Sequence, residues 1–179
     1  MKKIILIVAI VLGVQQLSQA QKLEKIFRVN ILVPGVEYEL PLGNYWSLNT
    51  NIGTSVAWSS GGVRDVFDSR SSNVRFYPYL LAEGRRYYNR EKRVEKKRRV
   101  RFNSGNYYGL SLFTTPDRDI TQLGKTKDVM FAISPLWGMQ RAYGRFYFNL
   151  NFIPFYFVKT KEQSKFYALG FGWRLGFNF

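Results

Sequence analysis

The chain has 179 residues, 27 Lys+Arg against 12 Asp+Glu, a formal net charge of +15, and neither Cys nor His. That length fits one domain. The two missing residue types exclude a disulfide framework, a thiolate nucleophile, an imidazole metal ligand and any Ser-His or Cys-His pair. Aromatic residues make up 17% of the chain, an unusual share for so cationic a sequence.

Met1-Lys2-Lys3 is a short positive start, and Ile4 to Val14 is an unbroken apolar run. Ser18-Gln19-Ala20 then places small residues at the −3 and −1 positions of a cut before Gln21. This is the pattern of a cleaved secretory signal peptide over 1–20, and the run is too short for a spanning helix, which needs roughly 20 apolar residues. The mature chain is then 21–179 and carries every Phe, Trp and Tyr.

From there the hydrophobic period is two, the signature of strands. Trp46, Leu48, Thr50, Ile52, Thr54, Val56 and Trp58 alternate with Ser, Asn, Gly and Ala. Phe76 to Gly84, Tyr108 to Leu112, Val129 to Ile133 and Phe146 to Phe152 repeat the pattern. In the last segment Tyr167, Leu169, Phe171, Trp173, Leu175, Phe177 and Phe179 face one way, and Ala168, Gly170, Gly172, Arg174, Gly176 and Asn178 the other. Those are six long strands, and the polar connections are expected at Pro41 to Tyr45, Ser59 to Asn73, Asn89 to Asn106, Thr115 to Lys127, Met139 to Gly144 and Lys159 to Ser164. Ile26 to Leu40 breaks parity between Val33 and Val36. A two-residue hairpin at Pro34-Gly35, pairing Ile31 with Tyr38 and Val29 with Leu40, gives eight strands in all. A bulge in one longer strand gives seven.

The non-apolar face is small, polar and sparsely charged, which suits a crowded interior; Phe and Trp on the other face suit lipid. The expected fold is therefore all-β: a closed antiparallel up-and-down transmembrane β-barrel over 21–179, in which every backbone polar group is paired within the sheet. Pro78, Pro135 and Pro154 lie inside strand patterns and are expected at rims or bulges. Tyr167, Phe171, Trp173, Phe177 and Phe179 form a Phe-ended strand like the one read by the barrel-assembly machinery of bacterial outer membranes.

The inward face collects Glu37, Glu39, Glu83, Arg85, Arg145 and Arg174, expected to form a structural polar fill rather than a site. Between two strands lies the one biased run, Arg90 to Arg101, with eight basic and two acidic residues. Arg90, Lys92, Arg93, Lys96, Lys97, Arg98, Arg99 and Arg101 are the candidate anion-contacting residues, for lipid headgroups, lipopolysaccharide phosphates or cell-wall carboxylates. The run lacks interleaved aromatics, which argues against nucleic acid.

The stretch from Glu83-Gly84-Arg85-Arg86-Tyr87-Tyr88-Asn89 through Arg93, with Ser104-Gly105-Asn106-Tyr107-Tyr108 after it, resembles small outer-membrane β-barrel proteins of Bacteroidota-type bacteria. The resemblance implies a lipocalin-sized barrel in the cell outer membrane, in contact with its lipids and lipopolysaccharide, and no established activity. Acyl-transfer enzymes and proteases built on small barrels use a histidine base, which this chain lacks. The expectation is a non-enzymatic, monomeric barrel without cofactor or metal, structural or envelope-binding. The alternatives are a lipid-modifying outer-membrane enzyme and a soluble secreted lipocalin-like binder.

Overall fold

A computed structural model describes residues 22–58, 74–116, 129–160 and 164–179. The signal-peptide pattern, Gln21 and most of the connections expected at 59–73, 115–127 and 159–164 lie outside the described residues. Eight antiparallel strands form a ring sheet: β1 (Ile26–Asn30), β2 (Gly35–Pro41), β3 (Trp46–Trp58), β4 (Val74–Tyr87), β5 (Gly105–Pro116), β6 (Val129–Tyr143), β7 (Phe146–Lys159) and β8 (Ser164–Asn178). Each strand pairs with the next, and β1 pairs with both β2 and β8. The described helical elements are a short helix α1 (Arg90–Glu95) and a single 3₁₀ turn (Arg101–Asn103), both between β4 and β5.

Side-chain chemistry runs from apolar outside to polar inside. Phe27, Ile52, Leu110, Phe131 and Trp173 are exposed on the outer face, and Phe171 keeps 73% of its surface. The largest wholly buried side chains are Arg28, Arg85 and Arg90, followed by Tyr87, Tyr107 and Tyr147. Strand alternation imposes this: Val36-Glu37-Tyr38-Glu39 in β2 and Leu48-Asn49-Thr50-Asn51 in β3 send their Glu and Asn side chains inward. At Gly138 in β6, an added Cβ would lie 2.3 Å from the ring of Tyr107, so only glycine leaves room for that ring.

The hairpin between β1 and β2 exists, but with a different register from the predicted one. Ile31 to Pro34 form a four-residue turn, Val29 faces Val36 and Phe27 faces Tyr38. Proline at the first turn position does not suit a two-residue hairpin, whose favoured turns need φ > 0 there. The shift is even, so side chains keep their faces.

Three other expectations need correction. The connection expected over Met139 to Gly144 is a two-residue turn at Gly144-Arg145, because Gly144 takes φ +64 and Met139 to Tyr143 remain in β6. Arg145 therefore sits exposed in that turn, outside the interior cluster. The alternation of β8 also does not run unbroken through Tyr167 and Leu169. Leu169 takes φ +61, and beyond it Ala168 faces Phe155 while Tyr167 faces Tyr156. Tyr156 lines the interior and Phe155 is exposed, so the faces exchange at this point, with Tyr167 inside and Ala168 outside. The same site is a bulge against β6, where Ile133 pairs with Phe157 but Trp137 with Phe152. Pro154 lies within that bulge, where its missing N–H costs no ladder bond.

Candidate functional site

Three regions concentrate polar chemistry: the interior cluster, the basic connection below it and the cavity above it. In the cluster, Arg28 Nη1 donates to Glu37 at 2.5 Å and Nη2 to Glu39 at 2.6 Å. Arg85 donates to Glu83 through Nε at 3.0 Å and through Nη2, and to Gln140 at 3.0 Å through Nη1. Arg174 Nη2 donates to Glu83 at 2.9 Å, and its Nε lies 3.6 Å from Glu37. Ser47 and Tyr87 hydroxyls add bonds to Glu39 at 2.7 and 2.8 Å. The guanidinium of Arg28 stacks over Tyr147 at 5.0 Å and that of Arg85 over Tyr107 at 4.7 Å. Three arginines meet three glutamates, so the cluster is neutral as a whole. A buried charge left unpaired is far costlier than a pair, and here every carboxylate contacts at least two guanidinium groups.

Five of the six predicted interior residues, Glu37, Glu39, Glu83, Arg85 and Arg174, come together in this way. Sequence reasoning missed Arg28, the partner of two glutamates, although Phe27-Arg28-Val29-Asn30 alternates as clearly as Val36-Glu37-Tyr38-Glu39. It also missed Gln140, Ser47 and the three inward tyrosines, whose hydroxyls reach the cluster or its asparagines.

The basic connection folds back across one end of the ring. Asn103 exchanges two hydrogen bonds with the backbone of Glu24, at 2.8 and 2.9 Å, and Gln140 donates to the Phe102 carbonyl at 3.1 Å. Leu23 is thereby buried against Tyr87, Tyr107 and Leu136. Two of the eight predicted cations serve this architecture. Arg90 donates to the carbonyls of Val100 and Lys22 at 3.0 and 3.1 Å, and Arg93 grips the Arg99 carbonyl at 3.0 and 2.7 Å. Lys92, Lys96, Lys97, Arg98, Arg99 and Arg101 remain exposed.

Beside α1 is a recess of about 260 Å³ whose lining includes Arg93, Lys97, Arg98, Arg99 and Arg141 and no carboxylate. Arg141 is fixed there by the carbonyls of Gly105 and Gln140 and by Asn106. Burial, and after it the charge of Arg98, push the Arg93 guanidinium below its ordinary pKa. Opposite charge in the recess would reverse that effect.

In the half of the interior away from this connection, side chains leave a cavity of about 490 Å³, with Glu83, Asn151 and Arg174 at its base. Among the described residues no group of three or more His, Cys, Asp or Glu side chains is placed to hold a metal. No family model matches the chain, and no curated protein or solved structure does either.

Proposed function

We propose that the chain is a non-enzymatic outer-membrane β-barrel of the Bacteroidota type it resembles, exported by a cleaved signal peptide, whose basic end holds anionic envelope polymer or lipid headgroups. The observation that carries this reading is the inverted chemistry of the ring. A contiguous apolar outer face larger than a few hundred Å² marks a membrane or partner surface, and a ring of paired strands is the sheet that leaves no unsatisfied edge in lipid. Aromatic side chains with polar partners gather near the basic end: Trp137 donates to the Tyr88 hydroxyl at 2.8 Å, Tyr88 stacks on Tyr108, and Arg86 lies 6.0 Å from Trp46. Such residues occupy membrane–water interfaces. The binding half of the reading rests on the cationic recess, where five basic side chains converge without a carboxylate.

Fractionation tests the location. The full chain is expected in the outer membrane, with heat-modifiable migration on gels; recovery in the soluble fraction overturns the reading in favour of a secreted binder. Replacing Lys96, Lys97, Arg98 and Arg99 together by Gln tests the binding. Wild type is expected to bind vesicles containing anionic lipid, less strongly as salt shortens the screening length from about 30 Å at 0.01 M to about 8 Å at 0.15 M. The Gln variant is expected to fold and to bind weakly at either salt. Equal binding by both proteins reduces the run to a solvated connector.

A further inference from the structure

The cavity above the ionic cluster is unlike the rest of the interior. Its walls are Tyr79, Leu81, Phe113, Met130, Ile153 and Val158, and its base is Glu83, Asn151 and Arg174. At about 490 Å³ it falls within the roughly 300–1,000 Å³ typical of small-molecule sites, which pair apolar walls with a few fixed polar groups. The polar base is built and rigid. Arg174, 6% exposed, donates through Nη2 to Glu83 and to Asn149. Its Nε makes no hydrogen bond, having only a 3.6 Å contact with the Glu37 carboxylate. Buried donors are nearly always satisfied, and an exception points to a missing partner.

The charge balance states what kind of partner. The three arginines and three glutamates already cancel, so an added carboxylate or phosphate would bring an uncompensated charge into the interior. A neutral oxygen acceptor supplies the missing bond without that penalty. We propose that this cavity binds a single-chain amphiphile with an uncharged, oxygen-bearing head, the head at Arg174 and the acyl chain between the apolar walls. The assignment does not depend on which compartment the protein occupies.

The test uses the full mature chain held in amphipol and 1-monomyristoylglycerol as probe, with bound ligand counted by native mass spectrometry. Gly172 lines the cavity, and an added Cβ there meets nothing nearer than Asn151 Cβ at 3.7 Å. Gly172→Phe therefore fills the space without displacing the backbone, and Ala132→Phe, across the cavity, is the second occluding variant. Wild type is expected to retain one probe molecule per chain, and either occluded variant to bind about tenfold more weakly or worse, because the volume of the site is gone. Leu112→Phe, on the outer face, is expected to bind as wild type does. Myristate at neutral pH is expected to bind about tenfold more weakly than the glyceride, because its charge has no counter-ion at the base. Failure of wild type to retain the probe, or equal retention by an occluded variant that folds, overturns the site. Myristate binding as tightly as the glyceride overturns the neutral-head assignment.

Discussion

The two halves of the ring interior solve opposite problems. Toward the basic connection the side chains answer one another: Arg28, Arg85 and Arg174 meet Glu37, Glu39 and Glu83, tyrosines lie beneath the guanidinium groups, and the connection itself closes the end. Toward the other end the inward residues are Leu81, Phe113, Met130 and Val158, and they enclose space. In the first half the charges are mutually paired. The second presents apolar surface above a base where Arg174 Nε, 3.6 Å from Glu37, makes no hydrogen bond among the described residues. The comparison separates what holds the fold from what is available to a ligand.

The largest effect is expected where the filled half is broken. Arg85→Ala removes the group that bridges Glu83, Glu39 and Gln140, leaving buried carboxylates underpaired, at a cost of about 3–5 kcal/mol in reversible urea unfolding. Truncating Leu81 to Ala at the cavity is expected to cost clearly less, because its neighbours there already border a void. Equal losses would erase the distinction between the halves. The outer face sharpens the contrast with the interior. Leu110→Arg is expected to cost about 2–4 kcal/mol in bilayers if that position lies at mid-membrane, and little in amphipol. A third, smaller effect concerns the end closure. Asn103→Ala deletes the paired bonds to Glu24 and is expected to cost about 1–3 kcal/mol, with faster hydrogen exchange confined to 22–25 and 101–104. The smallest perturbation reads the exchange of faces in β8. Spin labels at 167 and 168 are expected to leave stability unchanged, and lipid-soluble oxygen should reach the label at 168 more readily than that at 167. The reverse order would restore simple alternation through Leu169.

These contrasts also show what sequence alone can convey. Glu83, Arg85 and Arg174 are legible as inward because their strands set small or polar residues against large apolar ones. In Phe155 to Phe157 and Phe166 to Ala168 both faces carry aromatic or apolar residues, so a period of two has no contrast and the exchange of faces at Pro154 and Leu169 leaves no trace. Arg145 was misplaced because a strand end depends on which glycine turns the chain, and Gly144 does so through a positive φ that composition does not encode. The eight clustered cations were visible as a group. Their division into Arg90 and Arg93, which bind carbonyls, and six exposed neighbours depends on a fold-back that only tertiary structure supplies. The cavity was not foreseen, since it results from which inward residues are absent rather than which are present.

The seam between β1 and β8 carries a kinetic consequence. Arg28 Nε donates to Asn178 at 2.9 Å across 150 residues of chain, and Phe179 N donates to the Phe27 carbonyl at 2.9 Å. The other strand pairings are between sequence neighbours and can form as hairpins, whereas this one needs its two most distant strands to meet. Loop closure of that span is entropically slow. Arg28 also holds Glu37 and Glu39, so joining the seam ties the ion network to the last strand. Until then β1 presents one unpaired edge and β8 another. A catalyst that shields those margins or holds them near one another would speed closure without altering the final energy.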